Sequence, residues 1–218
     1  MNNSSPAVIF DMDGVIFDSE QAFIDSFRVI CGQEQMEFKE DVCHDCIGVN
    51  WNRSKEIFEA GYGEDFDFPH YYDLVRARMG TLRFDLKPYV NEIFAFLKER
   101  HIPTALASST REVSVRRMLD DASLTDHFDA IVCGDMVSHS KPHPEIFLTA
   151  AEKLGKSPED CYVIEDSFNG IRCARNAAMH PIMVPDILQP DDEIRALAEV
   201  VLPTLHEVIA YFDRVWKE

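Results

Sequence analysis

The stretch Val8-Ile9-Phe10-Asp11-Met12-Asp13-Gly14-Val15 decides the fold of this chain. Its first three residues form a short apolar run, which is typical of a buried strand. Two aspartates follow, two positions apart, and the glycine after them lets the chain turn so that both acids face one point at the end of the strand. Open α/β sheets bind their ligands at such ends. Taken alone, an Asp-x-Asp-Gly segment is also a common surface turn, so its interpretation depends on the rest of the sequence.

The composition limits the classes of protein and partner. A chain of 218 residues forms one large domain, or a medium domain that carries a small insertion. The hydrophobic fraction of 46% supplies enough apolar side chains for a real core and argues against intrinsic disorder. The formal net charge of -18 disfavours nucleic acid and anionic membrane as partners. A negatively charged substrate would therefore need a locally positive site or a bound cation.

The sequence gives no sign of export or membrane insertion. Met1 to Pro6 is polar, and the apolar run after it is too short for a signal peptide. No apolar stretch approaches the roughly 20 residues of a spanning helix. We therefore expect a cytoplasmic protein whose cysteines are reduced thiols. The spacing in Cys43-His44-Asp45-Cys46 can bind zinc or serve redox chemistry, but no second Cys/His pair accompanies it, and we expect neither role.

Hydrophobic periodicity divides the chain into two parts. From residue 88 onwards, short apolar strands alternate with amphipathic helices, which predicts a parallel sheet wrapped by helices. The predicted strands lie at 8–10, 103–107, 130–133, 161–164, 182–184 and 200–202. The segment 17–84 keeps a helical pattern and interrupts this alternation. The sequence thus predicts an α/β fold: a three-layer Rossmann-like core of residues 1–16 and 85–218, with a parallel sheet, and an inserted α-helical cap domain of residues 17–84.

Polar side chains follow four of the predicted strands. Because the carboxyl ends of parallel strands open on one edge of a sheet, these side chains are expected to converge on one pocket. The converging set is Asp11, Asp13, Ser108, Lys141 and Asp166.

This set suits phosphoryl transfer. Carboxylates bind Mg²⁺, a hard cation that prefers oxygen ligands, and the metal lets a carboxylate approach a phosphate. A serine hydroxyl can donate to a phosphoryl oxygen, and a lysine can balance the charge that develops on the equatorial oxygens. One aspartate can then act as a nucleophile that forms an aspartyl-phosphate, while the other moves a proton.

Each of these residues also has a purely structural interpretation. Ser108 and Ser109 could cap the helix that follows them, and Lys141 could be a solvated residue of a turn. Ser167 is expected to cap the next helix along the chain. Two histidines flank Lys141 and are expected to be surface or packing residues: His139 and His143.

Four ordered segments resemble the motifs of the haloacid dehalogenase superfamily. They are Asp11-Met12-Asp13-Gly14-Val15, Ala107-Ser108-Ser109, Ser140-Lys141-Pro142-His143-Pro144-Glu145-Ile146-Phe147 and Val163-Ile164-Glu165-Asp166-Ser167. The continuation Phe17-Asp18-Ser19-Glu20 and the helical insert resemble the beta-phosphoglucomutase-like phosphatase branch. The resemblance covers residues 7 to about 204.

The resemblance implies a role for four residues of the first three motifs. Asp11 would be the nucleophile and a Mg²⁺ ligand. Asp13 would be the general acid and base, and would bind the metal through its backbone carbonyl. Ser108 and Lys141 would hold the phosphoryl group.

The last motif and the helical insert carry the remaining implied roles. Asp166 would be a metal ligand, and Glu165 would ligate the metal directly or through water. In this branch the insert closes over the active site and reads the leaving group. The residues expected to bind substrate are Ser109, Trp51, Asn52 and Arg53, although Trp51 could equally pack between helices.

The implied activity is that of a Mg²⁺-dependent phosphatase. Its expected partner is a small-molecule phosphate ester, most reasonably a sugar phosphate, and its expected state is a monomer. A sugar-phosphate mutase uses the same nucleophile, but that branch has a histidine near position 23 and an arginine near position 51. This chain has Phe23 and Trp51 there, although Arg53 could substitute. A non-catalytic binding protein on the same fold is a third alternative, and the retention of both Asp11 and Asp13 argues against it.

Overall fold

A six-stranded parallel sheet forms the centre of the computed structural model, which describes residues 5–216. The strands are β1 Ala7–Phe10, β2 Thr104–Ser108, β3 Ala130–Cys133, β4 Cys161–Glu165, β5 His180–Met183 and β6 Val200–Val201. Each lies within two residues of its predicted position, and the predicted α/β class is confirmed. The outer limits of the predicted core, at residues 1 and 218, and most of the polar segment 1–6 lie outside the described residues.

Helices connect these strands and form the segment between β1 and β2. They are α1 Glu20–Gln33, α2 Glu40–Asp45, α3 Trp51–Tyr62, α4 Phe68–Met79, α5 Val90–Glu99, α6 Glu112–Asp121, α7 Glu145–Leu154, α8 Phe168–Asn176, α9 Asp192–Leu197 and α10 Leu205–Val215. The sequence pattern did not predict α2 or α9, each of which has only 6 residues. The unassigned cysteines Cys43 and Cys46 lie at the end of α2, and both are buried.

Apolar side chains cover the sheet on both faces. Val8 and Phe10 of β1 point into a cluster with α5, α6 and α10, whereas Ala7 and Ile9 point into a second cluster with α7 and α8. All four are fully buried, which explains why β1 is a continuous apolar run rather than an alternating one. Burial of a side chain such as Phe10 contributes about 2–3 kcal/mol. The result is a three-layer arrangement with β1 at its centre.

The helices α1 to α4 have an apolar cluster of their own, which includes Phe27, Phe58 and Phe68. Two of these helices, α3 and α4, begin with a side-chain cap. The Asn50 side chain accepts a hydrogen bond from the backbone of Arg53 at the start of α3, and Asp67 caps α4 in the same way. Among residues 5–216, no helix combines the length and apolar character that crossing a bilayer requires.

Two backbone hydrogen bonds join the chain where it leaves and re-enters the sheet region. The Asp18 amide donates to the Asp85 carbonyl at 3.0 Å, and the Lys87 amide donates to the Ile16 carbonyl at 2.9 Å. The two connections therefore run side by side. The predicted cap boundaries at 17 and 84 fall at these paired connections, and the cap itself stays a prediction.

The strand order β3-β2-β1-β4-β5-β6 creates a switch point between β1 and β4. The chain builds one half of the sheet from β1 outwards to β3 and then returns to the other side of β1. At the carboxyl end of this pair Phe10 is level with Ile164, and the Asp11 amide donates to the Ile164 carbonyl at 3.0 Å. Asp11 and Glu165 consequently leave adjacent strands at the place where open α/β sheets bind ligands.

Candidate active site

A buried lysine joins the ends of β1 and β4. The Lys141 ammonium donates to Asp11 Oδ1 at 2.5 Å and to Glu165 Oε1 at 2.7 Å, and its side chain is fully enclosed. The other Glu165 oxygen accepts from the backbone amide and the hydroxyl of Ser167, at 2.7 and 2.8 Å. Asp11 and Lys141, two members of the predicted converging set, therefore meet, and Glu165, which was not in that set, joins them. The solvated-turn alternative for Lys141 is excluded by its burial.

Asp166 lies beside the turn that follows Asp11. Its side chain is buried, and its Oδ2 atom finds no hydrogen-bond donor among residues 5–216. Gly14 makes this approach possible: it adopts a positive φ of 76°, and a Cβ at its position would collide with the Asp166 carboxylate. The turn through Gly14 therefore brings a third carboxylate into the group.

Hydroxyl groups orient the second aspartate of the Asp-x-Asp pair. Ser19 donates to Asp13 Oδ1 at 2.6 Å, and Thr110 donates to Asp13 Oδ2 at 2.8 Å. Ser108 is fully buried and lies 3.4 Å from the same Oδ2 atom, while its oxygen also accepts from the Thr110 amide. Arg111 is the N-cap of α6 and makes no side-chain capping bond, so Ser108 and Ser109 do not cap this helix. Both Asp13 oxygens are thus occupied by neutral donors.

Burial and mutual repulsion shift the ionisation of these acids. Burial raises the pKa of Asp11 to about 7; Lys141 opposes the shift, and Glu165 and Asp13 add to it. Burial, followed by the charges of Glu165 and Glu20, raises the pKa of Asp166 well above its usual range. Burial alone would lower the pKa of Lys141, but Asp11 and Glu165 outweigh it and raise this pKa above that of a free lysine. Lys141 therefore stays protonated, with carboxylates on both sides of its ammonium group.

A cavity of about 360 Å³ opens above Asp11 and Asp13. Its floor is polar, and its upper walls come from α1, α3, α4 and α6 and from the connecting segments at Val49 and Phe84. The apolar and aromatic side chains of these walls are Phe23, Val49, Trp51, Tyr72, Val75, Met79, Phe84, Val113 and Met118. Two arginines, Arg76 and Arg117, also line it. The cavity thus combines an acidic floor with a mainly apolar roof between the helical segment and the sheet.

The four residues expected to bind substrate separate into two pairs. Ser109 and Trp51 both line this cavity, and Trp51 also packs edge-on against Phe68, with ring centroids 5.3 Å apart. Asn52 and Arg53 are exposed and line a different, open cleft, where Arg53 pairs with Glu56. Because successive residues of a helix point about 100° apart, the turn that directs Trp51 inwards directs the next two residues outwards.

Several residues of the site were not predicted from the sequence. Ser19 precedes the first residue of α1, but its side chain makes no capping bond and instead donates to Asp13. Glu20, the first residue of α1, lines the cavity, and burial together with Asp13 and Asp11 raises its pKa well above its usual range. Thr110, which directly follows Ser108 and Ser109, was given no role. By contrast, Ser167 caps α8 as expected, accepting from the Gly170 amide at 3.0 Å.

The residues present fit a magnesium ion. The unpartnered Asp166 Oδ2 atom is buried among other carboxylates, which is the situation that a hard cation with oxygen ligands stabilises. Among the described residues, Asp166 Oδ2 has no partner and Asp11 keeps one oxygen that Lys141 does not bond, while the hydroxyls on Asp13 leave its backbone carbonyl for this role. Both Glu165 oxygens already accept hydrogen bonds, so of the two predicted forms of ligation by Glu165, direct or through water, these contacts do not favour the direct one.

Comparison with known proteins gives one consistent family. Residues 8–184 match the family described as haloacid dehalogenase-like hydrolase. A phosphorylated carbohydrates phosphatase of Thermotoga maritima is 31% identical over 179 residues, which cover 81% of this chain and 83% of that protein. A beta-phosphoglucomutase of Bacillus subtilis is 30% identical over 214 residues, with 92% and 94% covered. The crystal structure of a hydrolase from Pseudomonas syringae shares the fold, with a TM-score of 0.86 at 20% identity and 98% and 100% coverage.

Proposed function

This chain belongs to the haloacid dehalogenase-like hydrolases, and we propose that it is a Mg²⁺-dependent phosphatase of a small phosphorylated metabolite. The observation that carries the proposal is the buried contact of Lys141 with Asp11, beneath a cavity of substrate size. A fully enclosed lysine against a carboxylate is costly to maintain for stability alone. Its position at the switch point of the sheet suits a dianionic phosphoryl group.

Magnesium is the cofactor of the proposal. Asp11, Asp166 and the backbone carbonyl of Asp13 would hold it, and Glu165 would act on the site by holding Lys141. When bound, the ion offsets the repulsion between the carboxylates and withdraws charge from the phosphoryl oxygens. The strong acidity of the chain makes such compensation necessary, because a phosphate ester and these carboxylates are all anions.

The proposed reaction has two steps. An Asp11 oxygen attacks the phosphorus, the bond from phosphorus to the leaving oxygen breaks, and Asp13 gives its proton to that oxygen. Water then attacks the phosphorus of the aspartyl-phosphate and loses a proton to Asp13, which frees Asp11 and releases phosphate. Ser19 and Thr110 keep Asp13 aimed at the leaving oxygen and the incoming water. Lys141 and the hydroxyls of Ser108 and Ser109 would stabilise the charge on the transferred group.

The helical segment would act as a cap over this reaction. Its helices supply Phe23, Trp51, Tyr72 and Arg76 to the cavity, and the chain passes between it and the sheet through the paired connections at residues 16–18 and 85–87. We therefore propose residues 17–84 as a cap domain that closes over the substrate and reads the leaving group. In place of Asn52 and Arg53, the residues that could bond to the leaving group in the cavity are Arg76 and Arg117.

A phosphatase is favoured over a mutase by the same cavity. Phe23 and Trp51, where the mutase pattern has a histidine and an arginine, both point into it, so these positions offer rings rather than charged groups to a second phosphate. Sugar phosphates are the first class to examine, because a phosphorylated carbohydrates phosphatase is among the relatives. A small monomeric enzyme of the cytoplasm remains our expectation.

The experiment is a panel assay for released phosphate with sugar phosphates and a chromogenic phosphate ester, with and without Mg²⁺. We expect Mg²⁺-dependent release that is abolished in Asp11→Asn. An isomerised sugar phosphate appearing without free phosphate would support the mutase. A folded protein that turns over no ester under either condition would support the binding protein instead.

A further inference from the structure

The loop between β3 and α7, together with the first residue of α7, carries a second group of potential ligands. Whereas Lys141 is enclosed, His139 and His143 are exposed, and their rings stack with centroids 4.3 Å apart. Glu145, at the start of α7, lies 2.7 Å from His139 Nδ1 and 4.0 Å from His143 Nδ1, measured to the same Oε2 atom. One ligand atom from each of the three residues lies within 4.8 Å of the other two.

The carboxylate of this group is held in place before any ligand binds. Glu145 Oε1 accepts from the Ser138 amide at 2.9 Å, and Oε2 accepts from the His139 amide at 2.9 Å. The first of these bonds, with the His139 side chain, lowers the pKa of Glu145, so the carboxylate stays ionised. A preformed anion between two imidazoles reduces the conformational entropy that ligand binding would cost.

The backbone around the histidines is also anchored. The Cys173 thiol of α8 donates to the His143 carbonyl at 3.1 Å, and the Asn176 amide group donates to the Pro142 carbonyl at 3.0 Å. Both imidazoles therefore project from a loop that is fixed to the body of the protein. Such support is what keeps metal ligands within a productive geometry.

We propose that His139, His143 and Glu145 form a surface site for a divalent transition-metal ion, of which Zn²⁺ is the representative. Two imidazoles and one carboxylate are borderline ligands that suit Zn²⁺, Co²⁺ or Ni²⁺, whereas Mg²⁺ prefers oxygen ligands alone. Three protein ligands leave coordination positions open to water. The site is distinct from the acidic group at Asp11, and it does not depend on the proposed phosphatase activity.

An ion bound at this site would restrain the loop that carries Lys141. It would tie together residues 139, 143 and 145, which bracket Lys141 in the sequence. The open cleft beside it is completed by Asn52, Arg53 and Glu56 of α3, so the ion would lie where the helical segment faces the sheet domain. Binding would therefore stiffen the loop from which Lys141 reaches Asp11.

The test is calorimetric titration of the untagged full-length protein with Zn²⁺, after chelation and in excess Mg²⁺ to saturate the acidic site. The wild type should bind about one Zn²⁺ that is lost, or weakened at least about 100-fold, in the double variant His139→Asn/His143→Asn. The matched control His70→Asn/His206→Asn removes two other exposed histidines and should bind as the wild type does.

Glu145→Gln supplies a second variant that keeps both histidines, and it should weaken Zn²⁺ binding at least about tenfold. All variants are checked for a native circular dichroism spectrum. A native spectrum is expected, because the exposed histidines are not part of the core. Equal Zn²⁺ affinity in the wild type and the His139→Asn/His143→Asn variant would overturn the proposal. So would a wild type that binds no Zn²⁺ under these conditions.

Discussion

Glu165→Gln should show that Glu165 and Asp166, the two adjacent acids at the end of β4, have different roles. The substitution keeps the size of the side chain but replaces one carboxylate oxygen by an amide nitrogen, which cannot accept. Either Lys141 or Ser167 then loses an acceptor that lies 2.7–2.8 Å away. A hydrogen bond to a charged group contributes about 1.5–3 kcal/mol, and each 1.36 kcal/mol is a factor of ten in rate. We therefore expect kcat to fall about 10- to 100-fold.

The same variant should leave magnesium binding nearly intact. Because both Glu165 oxygens are already engaged, the Mg²⁺ concentration that gives half-maximal activity should change by less than about threefold. Asp166→Asn is the matched comparison, since Asp166 Oδ2 is buried without a donor, and there this concentration should rise about 100-fold or more. The loss of the Glu165 charge should also lower the pKa of Asp11 in the metal-free protein.

The assay is steady-state phosphate release over a Mg²⁺ series, at several pH values, for the wild type and both variants. Glu165→Gln showing the same large rise in required Mg²⁺ as Asp166→Asn would refute the reasoning, because Glu165 would then be a direct ligand. Unchanged kcat in Glu165→Gln would refute the role of this residue in holding Lys141.

Three further outcomes are expected. Thr110→Val removes the donor 2.8 Å from Asp13 and should lower kcat about tenfold with a native circular dichroism spectrum; unchanged kcat would contradict the role of this hydroxyl. Gly170→Ala places a Cβ against the Glu165 carboxylate and should reproduce the rate loss of Glu165→Gln, and wild-type kcat would argue against that contact. The pKa of Asp11 is raised from 3.8 to about 7, so the chelated folded protein keeps a proton that the unfolded chain releases. Its free energy of unfolding should therefore fall from pH 4 to 7 by up to about 4 kcal/mol from this group, and Mg²⁺ should restore it. Urea titrations at pH 5.5 and 8, in chelator and in Mg²⁺, would measure both effects. Stability in chelator that rises over this range would contradict that assignment.

The parallel core could be predicted because each strand is short and mainly apolar, and because polar residues follow four of the strands. The end of β1 at Phe10 and the end of β4 at Glu165 fixed the place of the site, since parallel strands end on one edge. The two helices that were missed have only 6 residues each, which is too short for helical periodicity to appear. For α9 a local pattern was nevertheless available: Asp191 caps it by accepting from the Ile194 amide.

The second layer of the site could not be predicted in the same way. Ser19 and Thr110 reach Asp13 only because the chain turns through Gly14 and because the loop after β2 bends back, and neither direction follows from hydrophobic period. The directions of the Asn52 and Arg53 side chains depend on the rotation of α3 about its axis, which the Asn50 cap and the packing of Trp51 determine. The sequence thus located the acids and the lysine, while tertiary packing selected their neighbours.

The most direct test of the central claim is chemical capture of the phosphoryl group on the protein. Wild-type enzyme is mixed with Mg²⁺ and the best ³²P-labelled substrate of the panel, quenched in acid within milliseconds, and mapped by peptide mass spectrometry. We predict a hydroxylamine-sensitive phosphoryl group on the peptide that contains Asp11, and none in Asp11→Asn. Rapid phosphate release with no label on the protein, or with label on another residue, would contradict the account.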